Sequence, residues 1–250
     1  MGRLDSKVAV VTGAASGIGR AIARLFCAEN AEVVAVDLNE DDLRQLADEL
    51  GDRILIQPGD VRTPDDLTAA VRRAEQEFGR LTTICNCAGV YDNVPFLELT
   101  EERWRRTLDI NLSGVYYACK AAVPAMKRAG EGSIINLASA NSMVASPGET
   151  AYSASKGGVL MLTKAIAVEH ARDAIRANAI CPGFVDTPMV AGAVAQFGDR
   201  EQMLEEVRKF QPLGIGAPED IARFACFLAS DDSKSMTGSA VVADGGFTAM

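Results

Sequence analysis

Two tyrosine–lysine pairs in this sequence have a spacing that suits proton transfer. Tyr152 and Lys156 lie in the stretch AYSASKGG, and Tyr116 and Lys120 lie in YYACK, each pair four residues apart. Residues four apart share one face of a helix, so an ammonium group can lie beside each phenol. A phenol beside a cation can act as a general acid and base. The spacing alone does not separate the two pairs.

The sequence around each pair favours Tyr152 and Lys156 as the catalytic pair. The loop SANSMVASPGET (139–150) leaves an apolar, strand-like run and leads into Tyr152, whereas Tyr116 lies inside a helical stretch. Ligand sites in parallel α/β sheets lie beyond the carboxyl ends of the strands. Tyr152 is therefore predicted to be the general acid and base, and Tyr116 to pack in the core or at an interface.

Three other side chains are predicted to assist Tyr152. A free phenol has a pKa of about 10, and the ammonium group of Lys156 should lower it. Ser139, at the end of a strand, can hydrogen-bond a substrate oxygen and stabilise negative charge that develops on it. Asn111 is a polar residue in an otherwise apolar helical stretch. It is expected to kink that helix and to hold a water that connects Lys156 to solvent.

A glycine-rich turn near the amino end predicts a phosphate site. TGAASGIGR (12–20) follows the apolar run KVAVVT (7–12) and opens a stretch with helical spacing, so Gly13, Gly17 and Gly19 lie between a strand and a helix. Glycines permit the tight turn, and the free N–H groups at a helix start favour a pyrophosphate. This strand–turn–helix context indicates a dinucleotide site.

An acid at the end of the second strand indicates which dinucleotide is bound. Asp37 ends the run AEVVAVD, where a carboxylate accepts hydrogen bonds from both adenosine ribose hydroxyls and repels a 2′-phosphate. No lysine or arginine follows it directly, and Ser16 rather than a basic residue precedes Gly17. NAD is therefore predicted rather than NADP. Asp60 and Val61, after the third strand, are expected to meet the adenine edge.

Strand and helix patterns alternate along the whole chain. The strands are short and continuously apolar, which is typical of a mainly parallel sheet with helices on both faces. No linker or repeat divides the chain, so a single α/β domain over residues 1–250, Rossmann-like and doubly wound, is predicted. One long helix is expected over 100–126. Residues 184–216 are the least regular segment and are predicted to form a substrate lid at the carboxyl edge of the sheet.

Composition and charge exclude several classes of function. The chain has 34 acidic and 25 basic residues, a net charge of −9, and no basic cluster, which argues against nucleic acid and anionic membranes as partners. No apolar run approaches the roughly 20 residues of a membrane span, and a cytoplasmic location is expected. The six cysteines form no C-x-x-C pair and histidine occurs once, so no metal site is predicted and buried free thiols are favoured.

Taken together, the motifs resemble the classical subgroup of the short-chain dehydrogenase/reductase family. The resemblance covers essentially the whole chain and rests, in order, on TGAASGIG, Asp37, NCAG, Asn111, Ser139, Tyr152-x-x-x-Lys156, PGFVDT and the late DGG. It implies a seven-stranded sheet, a homotetramer, and a catalytic tetrad of Asn111, Ser139, Tyr152 and Lys156. The cofactor contacts expected from the motifs and the resemblance are Gly13, Ser16, Gly17, Ile18, Gly19, Asp37, Leu38, Asp60, Val61, Asn86, Ala88, Gly89, Tyr152, Lys156, Pro182, Gly183, Val185 and Thr187.

One position departs from the family pattern. The family has N-N-A-G where this chain has N-C-A-G, with Cys87 second. Asn86 is retained, so cofactor support is expected to persist, while a structural hydrogen bond of the second asparagine is expected to be lost. No basic residue neighbours Cys87 in the sequence, which disfavours thiol catalysis.

The helix predicted over 151–172 carries two further signals. Its segments VLML and AIAV are apolar all round, so it is expected to be buried on every side, with one face on the sheet and the other on a partner subunit. That agrees with the oligomer implied by the resemblance. Gly157 and Gly158 are costly inside a helix and indicate a close approach by the cofactor or by a packed helix.

The predicted reaction is the NAD(H)-dependent interconversion of a secondary alcohol and a ketone, with Tyr152 exchanging the hydroxyl proton. The positive nicotinamide of NAD⁺ is expected to act with Lys156 in lowering the pKa of Tyr152. The candidate substrate contacts are Tyr91, Ser139, Ala140, Asn141, Glu149, Tyr152, Phe184 and Met189. If Asn141 and Glu149 face the cleft, a small polar or cyclic alcohol such as a diol is favoured and an anion disfavoured. If Glu149 is instead solvated, that argument does not apply.

Two alternative functions fit these residues less well. An NADPH-dependent 3-oxoacyl-carrier-protein reductase needs a basic dinucleotide pocket and a basic surface for its acidic carrier, and this sequence has Asp37 and a net charge of −9. A non-catalytic dinucleotide sensor is expected to lack part of the tetrad, and no member is missing.

Overall fold

A single sheet of seven parallel strands organises the protein, whose computed structural model describes residues 2–194 and 200–249. The strands are β1 (Val8–Thr12), β2 (Glu32–Asp37), β3 (Ile54–Pro58), β4 (Thr83–Asn86), β5 (Gly132–Leu137), β6 (Ile175–Pro182) and β7 (Ala240–Ala243). Their order in the sheet is β3-β2-β1-β4-β5-β6-β7, and each of these pairings is parallel. The predicted Rossmann-like fold class is confirmed.

Helices follow the strands and cover both faces of the sheet. In the described residues they are α1 (Gly17–Ala28), α2 (Glu40–Leu50), α3 (Pro64–Phe78), α4 (Glu101–Leu108), α5 (Gly114–Ala129), α6 (Thr150–His170), α7 (Pro188–Val194), α8 (Arg200–Phe210) and α9 (Pro218–Ala229). No helix in this part of the chain is both long and apolar enough to cross a bilayer.

The sheet separates two hydrophobic clusters because successive strand residues point to opposite faces. Val11 of β1 belongs to the cluster formed with α1, α2 and α9, while its neighbour Val10 belongs to the cluster formed with α3, α5 and α6. Both faces of the central strands are therefore buried. That double burial explains why the strands appear in the sequence as continuous apolar runs rather than alternating ones.

The strand order reverses beside β1, and this reversal creates the site. β1 pairs with β2 on one side and with β4 on the other, so the chain must cross the sheet between β3 and β4. In such sheets the loops on either side of the crossover point diverge and leave a crevice at the carboxyl ends of the strands. The glycine turn after β1 and the loops after β4, β5 and β6 all meet at that edge.

The helix expected over 100–126 is interrupted by one wider turn. Thr100 caps α4 by accepting a hydrogen bond at Oγ1 from the N–H of Arg103 at 3.3 Å. Asp109–Ser113 then form a π-helical turn between α4 and α5, and Asn111 lies within it. π turns inside α-helices frequently occur at functional sites. The kink expected at Asn111 therefore takes the form of a π turn.

Residues 184–216 are more regular than the sequence indicated. The segment contains α7 and α8, and in α8 the buried side chains Met203 and Val207 lie four residues apart within an otherwise charged stretch. The expectation of an irregular segment was wrong. The spacing of Met203 and Val207 is the pattern of an amphipathic helix, and the sequence argument did not use it. Residues 195–199 of the predicted lid lie outside the described residues.

A buried glutamine joins the two ends of this segment. Gln211 follows α8, is 2% exposed, and accepts a hydrogen bond from the N–H of Phe184 at 2.8 Å. Its amide nitrogen donates to the carbonyl oxygens of Phe184, at 3.1 Å, and of Gly214. The start and the end of the segment are therefore held together by one side chain.

Helix α6 is not buried on every side within one chain. Met161 is 62% exposed and Val168 is 83% exposed. The sheet and its neighbours cover only part of this helix, and the other face is the one that was predicted to meet a partner subunit. Contact of the exposed apolar face with a partner subunit stays a prediction.

The glycine pair of α6 offers a matched test of packing. A Cβ at Gly158 would lie 2.7 Å from Cδ2 of Leu112, whereas a Cβ at Gly157 would meet no atom within 4 Å. The close approach predicted from the pair thus exists at Gly158 alone, and the neighbour is Leu112 in the π turn. We expect Gly157→Ala to raise the free energy of unfolding by about 0.5–1 kcal/mol. We expect Gly158→Ala to lower it by about 1–3 kcal/mol.

Denaturant unfolding of the two variants beside the parent protein measures these changes. Both substitutions add one methyl group to the same helix, so helix propensity cancels in the comparison and packing against Leu112 remains. Equal effects of the two substitutions would contradict the packing argument.

Candidate active site

The glycine turn after β1 packs too tightly for side chains. Gly13 has φ +68°, and a Cβ on it would lie 2.7 Å from the backbone nitrogen of Ala88. A Cβ on Gly19 would collide with the carbonyl oxygen of Gly13. Helix α1 begins at Gly17, and the side chain of Ser16 does not cap it, so its first N–H groups remain available. This geometry fits the pyrophosphate of a dinucleotide.

Thr12, which the sequence argument did not consider, fixes the turn against the loop after β4. Its Oγ1 accepts hydrogen bonds from the N–H groups of Cys87 at 3.1 Å and Ala88 at 3.3 Å. The signal was a hydroxyl residue that ends an apolar strand directly before the glycine turn. One buried hydroxyl therefore sets the separation of the two loops that would enclose a dinucleotide.

Asp37 is held at the end of β2 with acceptor capacity to spare. Its two carboxylate oxygens accept hydrogen bonds from the N–H of Ala15 at 3.1 Å and from the N–H of Asn39 at 3.0 Å. An ionised carboxylate offers about four acceptor positions, so each oxygen can accept a further hydroxyl. The carboxylate lines the cleft, as expected for contact with a ribose.

Two arginines lie at the end of the cleft predicted to hold the adenosine, and the sequence argument did not identify them. The Nε of Arg62 lies 3.0 Å and 2.9 Å from the two oxygens of Asp60, and this hydrogen-bonded pairing lowers the pKa of Asp60. The carboxylate predicted to meet the adenine edge is thus engaged by Arg62. The exposed Arg106 of α4 lines the same end of the cleft. Neither arginine directly follows Asp37, so the sequence test for basic residues overlooked them.

The predicted cofactor residues, with one exception, line a cleft that has two connected parts. The dinucleotide part includes Gly13, Ser16, Gly17, Ile18, Gly19, Asp37, Leu38, Asp60, Val61, Ala88, Gly89 and Thr187. The chemical part includes Ser139, Tyr152, Lys156, Pro182, Gly183 and Val185. The residues that line both parts, and so connect them, are Ile18, Cys87, Gly89, Thr187 and Met189.

Asn86 is the exception among the predicted cofactor residues. It is 2% exposed, and its amide nitrogen donates to Oδ1 of Asn136 at 2.8 Å. The side chain hydrogen-bonds between β4 and β5, and Asn86 is absent from the residues that line the two parts of the cleft, so its expected cofactor contact stays a prediction. The next residue, Cys87, faces the cleft instead. Burial raises the pKa of the Cys87 thiol to about 12, which keeps it protonated.

Tyr152 and Lys156 stand together in the first turns of α6. The Nζ of Lys156 lies 5.8 Å from the centroid of the Tyr152 ring and donates a hydrogen bond to the carbonyl oxygen of Leu137 at 2.6 Å. Tyr116 and Lys120 have the same geometry, 5.6 Å, but lie away from the cleft, as predicted. Position relative to the strand ends therefore separates two pairs that local geometry does not.

The pKa values of this pair differ from the simplest expectation. Burial raises the pKa of Tyr152 to about 12, against the opposing effect of a hydrogen bond with Ser139, and the charge of Glu149 raises it further. Burial lowers the pKa of Lys156 to about 8. The pKa of Tyr152 was predicted to fall under the joint effect of Lys156 and a bound, positively charged nicotinamide, and that stays a prediction. In the protein alone desolvation dominates, and the ammonium group of Lys156 is directed at the carbonyl oxygen of Leu137.

Asn111 connects the π turn to the loop after β4 and to α6. Its amide nitrogen donates to the carbonyl oxygen of Val90 at 2.9 Å and to Oγ of Ser155 at 3.1 Å, and its Oδ1 accepts from the N–H of Val90 at 2.8 Å. A Cβ on Gly89 would lie 3.2 Å from that Oδ1 and 3.7 Å from Nζ of Lys156. Asn111 is therefore a close neighbour of the lysine, behind the wall of the cleft.

A polar cluster borders the phenol on its other side. Glu149 is 7% exposed and accepts hydrogen bonds from the hydroxyl of Tyr91 at 2.7 Å and from the amide nitrogen of Asn141. The ring of Tyr91 packs edge-on against the ring of Tyr152, with centroids 5.3 Å apart. Burial raises the pKa of Glu149. The alternative that Glu149 is solvated is thereby excluded, and Glu149 and Asn141 both line the chemical part of the cleft.

The opposite wall of the chemical part is apolar. Phe184 and Met189, both expected from the sequence, line it together with Val190 and Phe247. Phe247 was missed because it lies at the far end of the chain, beyond DGG. Its position depends on Asp244, whose carboxylate accepts hydrogen bonds from the N–H groups of Gly246 at 3.0 Å and Thr248 at 2.8 Å and folds the chain back.

Comparisons with known proteins identify the family of the chain. The family model described as enoyl-(acyl carrier protein) reductase matches residues 13–248. Oxidoreductase UcpA of Salmonella typhimurium is 42% identical over 255 residues, which cover 99% of this chain and 97% of that protein.

Two further relatives are named for particular substrates. Cyclohexanol dehydrogenase of Acinetobacter sp. is 38% identical over 251 residues, covering 98% of this chain and 96% of that protein. The 3-oxoacyl-(acyl-carrier-protein) reductase FabG of Thermotoga maritima is 38% identical over 248 residues, covering 98% of each. With near-complete coverage by the family model and by these relatives, the chain belongs to the classical subgroup of the short-chain dehydrogenase/reductase family.

Proposed function

We propose that this protein is an NAD(H)-dependent oxidoreductase that interconverts a small polar or cyclic secondary alcohol and its ketone. The observation that carries the proposal is the shared cleft. Tyr152, Lys156 and Ser139 lie at its chemical end, and the glycine turn and Asp37 lie at its other end. The relative named for cyclohexanol supports a secondary alcohol as the substrate.

The proposed roles follow from the contacts of each side chain. Ser139, which acts to lower the pKa of the Tyr152 phenol, would hold the substrate oxygen beside it. Tyr152 would take the hydroxyl proton during oxidation and return it during reduction. Lys156 would stabilise the phenolate, and Asn111 would hold the water that links Lys156 to solvent. When bound, oxidised nicotinamide would accept the hydride from the carbinol carbon and bring a positive charge that favours the phenolate.

The preference for NAD over NADP rests on charge at the adenosine end. Asp37 keeps acceptor positions for two ribose hydroxyls and would repel a 2′-phosphate. Arg62 is paired with Asp60, so its charge is largely compensated. Arg106 is the feature that would favour NADP, because it is an exposed cation at the same end.

Two structural roles accompany the proposed activity. Residues 184–216 are proposed to close over the substrate, since Phe184, Met189 and Val190 of this segment line the chemical part of the cleft. The second structural role is assembly. A homotetramer is proposed because apolar side chains of α6 such as Met161 and Val168 are exposed on the single chain. Size-exclusion chromatography with light scattering tests the assembly.

The alternative of a carrier-protein reductase draws support from the description of the family model and from the relative FabG. It requires a preference for NADPH and a basic surface for an acidic carrier. The net charge of −9 and the position of Asp37 argue against both requirements. A non-catalytic sensor is disfavoured because Ser139, Tyr152 and Lys156 line one cleft.

The deciding experiment measures NAD⁺ and NADP⁺ reduction with a panel of secondary alcohols, beside NADPH oxidation with a 3-oxoacyl thioester of carrier protein. We expect oxidation of secondary alcohols with NAD⁺. A strong preference for NADP⁺ would overturn the cofactor assignment. Failure of every alcohol with both dinucleotides would overturn the alcohol dehydrogenase proposal.

The pH dependence of alcohol oxidation provides a separate test. The base form of Tyr152 is the phenolate, and burial raises the phenol pKa, so the rate should rise with pH through the neutral range. Glu149→Gln removes a negative charge that raises this pKa, and the rising limb should move to lower pH. Initial rates across pH for the parent, Glu149→Gln and the exposed control Glu102→Gln measure the shift. A shift to higher pH would contradict the assignment.

A further inference from the structure

We infer that the substrate is a neutral vicinal diol, and that Glu149 accepts a hydrogen bond from the hydroxyl group that is not oxidised. This inference rests on the proposed alcohol dehydrogenase function and adds the class of substrate. It is carried by the hydrogen-bonding capacity of Glu149, by its place beside Tyr152, and by the charges of the surrounding wall.

The carboxylate of Glu149 has unused capacity. It is 7% exposed, yet it accepts two hydrogen bonds from protein side chains, one from Tyr91 and one from Asn141. A carboxylate offers about four acceptor positions, and a buried charge is costly unless those positions are filled. Glu149 lines the chemical part of the cleft, so a donor on the substrate can fill a remaining position.

The position of Glu149 selects a hydroxyl group close to the reacting one. Glu149 is the N-cap residue of α6, three residues before Tyr152, and residues three apart at a helix start lie on one side with Cβ atoms roughly 5–6 Å apart. It is also tied to the other group that would hold the reacting oxygen. Asn141 donates its backbone N–H to Oγ of Ser139 at 3.2 Å and its side-chain amide to Glu149. A hydroxyl on the adjacent carbon suits this arrangement better than one across the molecule.

The other walls indicate a neutral substrate with an apolar body. Among the described lining residues the charged side chains are Glu149 and Lys156, and the lysine is directed at the carbonyl oxygen of Leu137. A substrate carboxylate, phosphate or sulfonate would therefore meet the like charge of Glu149. Phe184 and Phe247 on the opposite side offer aromatic surface to a ring or a branched carbon chain.

The proposed reaction balances with one dinucleotide. One carbinol carbon of the diol loses its hydrogen as hydride to NAD⁺, and the hydroxyl on that carbon gives its proton to the phenolate of Tyr152. A C=O double bond forms there, and the neighbouring hydroxyl group stays unchanged. The products are an α-hydroxyketone, NADH and a proton that leaves through Tyr152.

The test compares kcat/KM with NAD⁺ for one enantiomer of trans-cyclohexane-1,2-diol and for cyclohexanol, halving the diol value because a two-fold axis makes its two hydroxyl groups equivalent. A hydrogen bond to a charged acceptor should favour the diol by about tenfold to a hundredfold in the parent protein. In Glu149→Ala this ratio should fall to near 1. In Tyr91→Phe, which keeps the ring against Tyr152 and removes a donor that positions Glu149, the ratio should fall part of the way.

The ratio of two substrates on one preparation does not depend on the fraction of active enzyme, so partial unfolding of a variant does not disturb it. If Glu149→Ala fails to fold, Glu149→Gln replaces it, and its ratio should be lower than that of the parent. Glu102→Ala, an exposed glutamate on α4, is the matched control and should keep the parent ratio.

Three outcomes would overturn the inference while the proposed function stands. They are equal efficiency with both alcohols in the parent, an unchanged ratio without Glu149, and a preference for 2-aminocyclohexanol over the diol, which would indicate recognition of a cation. Oxidation of no alcohol with either dinucleotide would instead overturn the proposed function, and the inference with it.

Discussion

Tyr152→Phe is expected to lower kcat/KM for alcohol oxidation by about a hundredfold to ten-thousandfold, the usual contribution of general acid–base catalysis. The substitution removes only the hydroxyl oxygen. The ring keeps its edge-on contact with Tyr91 and its place beside Lys156, so the fold and the shape of the cleft should persist. Steady-state rates with NAD⁺ and a secondary alcohol measure the loss, and dinucleotide binding should remain close to that of the parent.

The chain supplies its own control for this experiment. Tyr116→Phe makes the same chemical change beside a lysine at the same spacing, but that pair lies away from the cleft. The control should keep the activity of the parent protein. Full activity in Tyr152→Phe, or an equal loss of activity in both variants, would contradict the assignment of Tyr152 as the general acid and base.

Asp37→Asn is expected to weaken NAD⁺ binding by about tenfold to a hundredfold, because hydrogen bonds to a charged group contribute about 1.5–3 kcal/mol. Binding of NADP⁺ should strengthen, because the charge that repels a 2′-phosphate is gone. Asparagine has nearly the same shape and keeps one oxygen that can accept from the N–H of Ala15 or Asn39. Calorimetric titration with each dinucleotide measures both changes without any need for turnover.

A nearby acid outside the cleft separates a local effect from a general change in charge. Asp65→Asn, on the exposed side of α3, alters the net charge equally and should leave the ratio of NAD⁺ to NADP⁺ affinity as in the parent. If Asp37→Asn kept the parent ratio, discrimination would be assigned to Arg62 and Arg106 instead.

Local patterns allowed much of the fold and site to be predicted. The strands could be predicted because burial on both faces produces unbroken apolar runs in the sequence. The glycine turn could be predicted because its geometry requires glycine. A positive φ at Gly13 and the close contact of Gly19 with Gly13 exclude residues with side chains at both positions. Tyr152 could be preferred over Tyr116 because parallel topology brings strand ends to one edge of the sheet.

Features that depend on contacts between distant segments could not be predicted in the same way. The direction of the Asn86 side chain is set by Asn136 on the neighbouring strand. The pairing of Arg62 with Asp60 and the presence of Phe247 in the wall depend on how loops fold back over the cleft. The raised pKa of Tyr152 is a consequence of burial, which spacing along a helix does not reveal.

The hydrogen bonds of Gln211 have a consequence for the chain entropy of the segment proposed to close over the substrate. Because Gln211 binds both backbone polar groups of Phe184, the chain from 184 to 211 is a loop whose two ends are fixed to each other. The entropy of joining its ends is lost once, on folding, and does not have to be lost again in each catalytic cycle. Any opening movement must therefore pivot within the loop, while its base and the nearby wall of the cleft stay in place.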